Sequence, residues 1–221
     1  ATIAVIPEEF SGTTIRLADV VDDLVGAIVK RLAYGQDHGV AVIAEGIAER
    51  IAPEELAAVT TAARDAYGHV RLADVPLGSV LRDAVRARLE EVGVDTTVVP
   101  KDIGYELRSA KPIPFDAEYT RTLGYGAVRY LLGGGSGSLI ALAGGRIHPV
   151  TLEEMLDPAT GRIRVRMVDV TTESYEVARK YMIRLEAGDF SEPRLSRLAA
   201  QTSLDPDGFA AAFRHVVGER A

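Results

Sequence analysis

Short apolar runs alternate with amphipathic segments along this chain, which is the pattern of an α/β protein. Residues 2–6 read as a buried strand closed by Pro7. Leu17, Val20, Val21, Leu24, Ile28 and Leu32 then recur at helical spacing and predict an amphipathic helix ending near Gly35. Residues 39–44, Gly-Val-Ala-Val-Ile-Ala, are apolar without alternation, as expected of a strand covered on both faces of a parallel sheet. A second helix is expected over 53–66, with Pro53 at its start, where a missing N–H costs nothing. Val80, Leu81, Ala84, Val85, Leu89 and Val92 define a third, stopped by Gly93. The β-branched residues 96–99 predict a short strand leading into a polar segment, 101–108. A helix follows from about Asp116 to Leu132, opened by an Asp suited to capping.

Beyond residue 136 the character changes. Residues 138–143 and 146–150 flank Gly144-Gly145, a two-residue β-hairpin signal. Thr151 and Glu154 stand at capping-box spacing for a short helix. Residues 163–170 alternate apolar and basic, as a strand with one wet face would; 174–185 read as a helix, and Asp205-Pro206 opens a last one through Val217. The expectation is a parallel-sheet α/β domain over 1–136, followed by a β-hairpin and helical extension over 137–221, with no linker between them.

Composition narrows the function classes. With 47% hydrophobic and 26% charged residues, the 221-residue chain has the ordinary balance of a soluble globular protein. A net charge of −7 argues against nucleic acid as the main partner and confines any anion binding to a local basic pocket. Zero cysteines exclude disulfides and thiolate metal sites, and four scattered histidines show no metal-ligand spacing. No apolar run approaches the roughly 20 residues of a membrane span. Residues 1–6 lack the basic start and long apolar stretch of a signal peptide, so a cytoplasmic location and no membrane partner are expected.

Ligands of open parallel sheets bind at the carboxyl ends of the strands. Two candidates fall there. Glu45-Gly46 follows the run 40–44, where a carboxylate can accept hydrogen bonds from sugar hydroxyls or, more plainly, cap the next turn. The segment from Lys101 to Arg108, centred on Gly104-Tyr105-Glu106-Leu107-Arg108, brings an Arg fork and a Lys charge close together; it is either an anion pocket or a solvated loop. Arg162, Arg164 and Arg166 share one strand face, which reads as a solvated or subunit-facing row. The glycine-rich run 133–137 follows a helix and precedes none, so it reads as a turn rather than a phosphate loop. His148 has no visible partner, and Glu8 and Glu9, adjacent on a strand, would point to opposite faces.

The ordered motifs carry the reading further. Ile-Pro-Glu-Glu at 6–9, Val-Ala-Val-Ile-Ala-Glu-Gly at 40–46, Asp-Ile-Gly-Tyr-Glu-Leu-Arg-Ser-Ala-Lys-Pro-Ile-Pro-Phe-Asp at 102–116 and Leu-Gly-Tyr-Gly-Ala at 123–127 resemble the second half of 6-phosphofructokinases. Gly-Tyr-Glu-Leu-Arg followed by Pro-Ile-Pro-Phe-Asp looks most like the pyrophosphate-dependent and mixed-clade enzymes, as does Tyr-Met-Ile-Arg-Leu at 181–185. The resemblance implies a Rossmann-like fold and transfer of a phosphoryl group from pyrophosphate or ATP, with magnesium, to the 1-hydroxyl of fructose 6-phosphate. It implies that Glu45 binds fructose hydroxyls and that Tyr105, Glu106, Leu107 and Arg108 form the substrate segment, with Arg108 on the 6-phosphate and Lys101 facing substrate or a neighbouring subunit. The family's glycine-rich donor loops, catalytic aspartate and magnesium carboxylate belong to its amino-terminal half; no Gly-Gly-Asp and no Thr-Ile-Asp-Asn-Asp occurs here. No catalytic or metal residue is therefore assigned in this chain, magnesium and donor are expected on the amino-terminal half, and a homo-oligomer inactive without that half is expected. The alternatives are a catalytically silent sugar-phosphate-binding regulatory module and an oligomer-scaffolding subunit.

Overall fold

Strand β1 (Ile3–Val5) is followed by helix α1 (Leu17–Ala33) and strand β2 (Ala41–Ile43), which lies parallel to β1 with Ile3 opposite Ala41 and Val5 opposite Ile43. In this computed structural model, residues 1–52, 54–56, 76–104, 106, 109–159, 161–164 and 167–218 are described. The helix expected over 53–66 lies outside them except for 54–56, which are helical. Helix α2 (Gly46–Arg50) follows β2 directly, and α3 (Leu77–Glu91) ends before Gly93. Then come α4 (Pro114–Leu132), the antiparallel strands β3 (Ser138–Ala143) and β4 (Arg146–Thr151), and short α5 (Leu152–Met155). Helices α6 (Glu173–Lys180), α7 (Arg194–Ala199) and α8 (Pro206–Phe213) complete the chain, with 3-10 turns at Pro7–Glu9, Ala187–Phe190 and Arg214–Val217. The described architecture is mixed α/β with a parallel strand pair.

Contacts gather the chain into two units, Ala1–Asp102 with Val168–Ala221, and Ile103–Met167. This grouping differs from a break after residue 136, because α4 packs on the β3–β4 pair that follows it. The first unit holds the core. Val20, Val21, Leu24, Val25 and Val29 of α1 are buried with Val80, Leu81, Val85 and Leu89 of α3 and with Leu198, Phe209 and Phe213 of α7 and α8. Arg16 gives α1 no side-chain cap; instead Glu55 Oε2 accepts from Leu17 N at 2.7 Å. In the second unit Pro114 opens α4, and Asp116 accepts from Ile113 N at 2.9 Å, so that Asp acts from inside the first turn rather than at the cap itself. Gly144 and Gly145, at φ 56° and 74°, turn the chain between β3 and β4. Thr151 and Glu154 form the capping box read from their spacing, with Glu154 Oε2 accepting from Thr151 N at 2.7 Å.

Four expectations are corrected. The run 39–44 does form a parallel strand, at Ala41–Ile43, but Val40 is 60% and Val42 is 42% exposed, so that side is uncovered while Ile43 packs toward the core; among the described residues β1 is its one sheet neighbour. Residues 96–99 carry no strand assignment, because no described backbone pairs with them. Over 163–170 only an isolated bridge of Ile163 to Leu156 is present, with Arg164 Nε donating to Leu156 O at 3.1 Å; residues 165 and 166 lie outside the described set. The helix expected over 174–185 ends at Lys180, since Ile183 N is engaged by Thr2 O at 2.8 Å and the chain runs beside β1 instead.

Candidate functional site

Glu45 stands at the carboxyl end of β2. The ladder holds it there: Ala44 N donates to Val5 O at 2.9 Å, and one residue later the backbone enters α2 with Glu45 at φ −56° and ψ −35°. Ile47, Ala48 and Ile51 anchor the apolar side of α2 in the core, at 3% exposure or less. Glu45 itself is exposed, and its side chain makes no capping hydrogen bond to α2. The plainer alternative for this residue, a turn cap, is thus not formed, and the carboxylate faces outward as an acceptor. Gly46 sits tight against the preceding segment; a Cβ there would lie 3.2 Å from Pro7 Cγ.

The remaining predicted residues divide. Lys101 is exposed in the first unit and Glu106 in the second, where Glu106 Oε2 accepts from Gly104 N at 3.3 Å, a local turn contact. Tyr105, Leu107 and Arg108 lie outside the described residues. His148 is exposed on β4 opposite Ala141. Among the described residues no three His, Asp or Glu side chains converge in a way that would hold a metal ion. A polar hollow lined by Ser11, Thr14, Arg16, Asp19 and His215 contains none of the predicted residues, and there Arg16 and Asp19 satisfy each other at 2.5 Å.

Sequence reasoning missed a buried ionic cluster beside this turn. Glu8 and Glu9 lie on the 3-10 turn Pro7–Glu9, not on a strand. Glu8 Oε1 accepts from Val168 N at 2.9 Å, whereas Glu9, 4% exposed, takes three donors: the Tyr175 hydroxyl, Arg179 Nη1 at 2.7 Å and Arg184 Nη2 at 2.7 Å. Arg184 also donates to Ala4 O and faces Asp23 Oδ2 at 3.7 Å. Burial, reinforced by the Glu9 hydrogen bond, pushes the Tyr175 hydroxyl up to about 12. One signal was available in the sequence: Tyr175 and Arg179 stand four apart, on one face of α6. Nothing local announced that Glu9 was their partner.

Comparison with known proteins gives this geometry its setting. The chain is 50% identical over 222 residues to a pyrophosphate–fructose 6-phosphate 1-phosphotransferase of Thermotoga maritima, across 97% of this chain and 52% of that protein. It is 41% identical over 225 residues to a protein of the same name from Naegleria fowleri, again across 97% and 52%. An ATP-dependent 6-phosphofructokinase of Amycolatopsis methanolica is 29% identical over 121 residues, 54% of this chain and 26% of that protein. No protein-family model matches the chain. It spans about half the length of the curated relatives matched first. The chain belongs to the phosphofructokinases. Within them it is more similar to the two pyrophosphate-dependent relatives than to this ATP-dependent one.

Proposed function

We propose that this chain is the carboxyl-terminal, fructose 6-phosphate-binding half of a phosphofructokinase, with pyrophosphate as donor in preference to ATP. The observation that carries the reading is the 50% identity to a pyrophosphate–fructose 6-phosphate 1-phosphotransferase across 97% of the chain. The exposed, uncapped Glu45 at the end of a parallel strand supports it. In this reading the β1–α1–β2 unit is part of a Rossmann-like sheet, and Glu45 accepts hydrogen bonds from sugar hydroxyls. Arg108 grips the 6-phosphate through its planar fork, with Tyr105 beside it and Glu106 and Leu107 shaping the segment; Lys101 adds positive charge toward the substrate or a neighbouring copy.

Held in this way, the sugar presents its 1-hydroxyl to the donor. A bond forms from that oxygen to the transferring phosphorus as the bond from phosphorus to the leaving phosphate breaks, and the hydroxyl proton passes to a base on the other half of the enzyme. The contribution of this chain is positioning, a large share of catalysis in phosphoryl transfer. Magnesium, when bound, neutralises charge on the donor phosphates. In this reading it is held mainly by the amino-terminal half, with the donor.

The test uses the full-length enzyme. Arg108→Ala removes a bidentate charge-assisted contact, so the KM for fructose 6-phosphate should rise more than about tenfold while the donor KM changes little. Equal losses for both substrates would contradict the role given to Arg108.

A further inference from the structure

Arg50 closes α2 five residues after Glu45, and its guanidinium reaches back across the start of the chain. Nη1 donates to Pro7 O, and Nη2 donates to Phe10 O at 2.8 Å and to Gly12 O at 2.5 Å. Its own carbonyl accepts from Ile15 N at 2.7 Å, inside the parallel bridge between Ile15 and Ile51. One side chain thereby ties the far end of α2 to three carbonyls, one in the 3-10 turn Pro7–Glu9 and two in the segment just after it. That segment is braced from its other side by Glu9 in the buried cluster with Arg179 and Arg184. At the near end of α2, Gly46 allows the helix to sit against Pro7.

We propose that Arg50 is a positioning residue for Glu45: by locking α2 onto residues 7–12 it sets where the Glu45 carboxylate stands at the end of β2. The proposal rests on the reading that Glu45 contacts the sugar. In this proposal Arg50 acts through the backbone rather than on the sugar: three of its N–H donors are taken by the carbonyls of residues 7, 10 and 12. A five-residue helix has little stability of its own, so the placement of its start, and of Glu45 at its N-cap, depends on what holds its last residue. Lysine cannot substitute here, because a single ammonium on a flexible stem does not span three carbonyls in a fixed fork.

The experiment is steady-state kinetics on the full-length enzyme with Arg50→Lys, Glu45→Gln and the double variant. Arg50→Lys should raise the fructose 6-phosphate KM about tenfold, the size of one weakened charge-assisted hydrogen bond, with the pyrophosphate KM unchanged. In the Glu45→Gln background the same substitution should add less than about twofold, because its effect runs through the carboxylate. An undiminished effect in that background means that Arg50 serves the fold in general, and overturns the proposal. So does an unchanged KM in Arg50→Lys while Glu45→Gln raises it. If Glu45→Gln has no effect, the assignment of Glu45 fails and this inference falls with it, a result distinct from the other two. Should Arg50→Lys not fold, Gly46→Ala, which pushes α2 away from Pro7, replaces it with the same expected KM signature and the same dependence on Glu45.

Discussion

Glu9 and Tyr175 show how strongly position governs a polar side chain. A buried carboxylate is tolerable only when paired and hydrogen-bonded, and Glu9 has two guanidinium groups and a phenol around it. The phenol keeps its proton as a consequence: its pKa lies near 12, above the ordinary value of about 10. The protonated form is the one the fold favours. Its contribution to stability is present in full below pH 10 and is lost as pH rises through about 12. Tyr175→Phe should therefore be less stable than the wild type at neutral pH, with the difference shrinking between pH 10 and 12. Urea melts across that range measure it, and a difference that stays constant with pH would refute the Tyr175–Glu9 hydrogen bond. Nothing in the sequence around Glu9 marks it as buried, since a Pro-Glu-Glu run reads equally well as a solvated turn.

Helices α1 and α3 were legible because their apolar period is long and a glycine, Gly35 or Gly93, stops each at its carboxyl end. The period does not show everything α1 does. Asp22 binds Arg88 at 2.8 Å, Lys30 reaches Asp189 at 2.6 Å, and Gly26 faces the Leu185 side chain so closely that a Cβ there would sit 2.6 Å from Leu185 Cδ1. Gly26→Ala should gain about 1 kcal/mol of helix propensity but lose about 1–3 kcal/mol to overpacking, so the melting temperature should fall or at best stay level. A clear rise in thermal denaturation would mean that Leu185 yields without cost. Strand β2 was legible as a strand from its apolar run, but its exposure was not, because a run of Val and Ile records what a strand needs covered and not what covers it.

The molecule divides its apolar surface unevenly. Every residue of the main core belongs to the unit built from both ends of the chain. In the Ile103–Met167 unit, Gly126 is the one buried position among the described residues, while Phe115, Tyr125, Val128, Leu131 and Leu132 of α4 are all more than half exposed. A helix apolar on most of its faces ordinarily lies inside a larger structure, and exposed apolar patches of this kind promote association. The purified 221-residue chain should accordingly form oligomers or dissolve poorly, and should show no kinase activity with pyrophosphate or ATP. Light scattering and a coupled assay decide both points, and turnover by the isolated chain would overturn the half-enzyme reading.

Local rules determined α1, α3 and α4, the Gly144-Gly145 turn and the Thr151–Glu154 capping box, because propensity, period and caps act within a few residues. The order of the motifs determined the family, since that information is linear. Tertiary structure alone decided that Glu9 and not Glu8 is buried, that Arg50 reaches three carbonyls of residues 7–12, and that residues after 168 return to the unit begun by β1. It also decided that Val40 and Val42 are exposed while Ile43 is half-buried. Each of these depends on which distant segment comes to lie alongside, and burial and ion pairing are properties of that neighbour as much as of the residue.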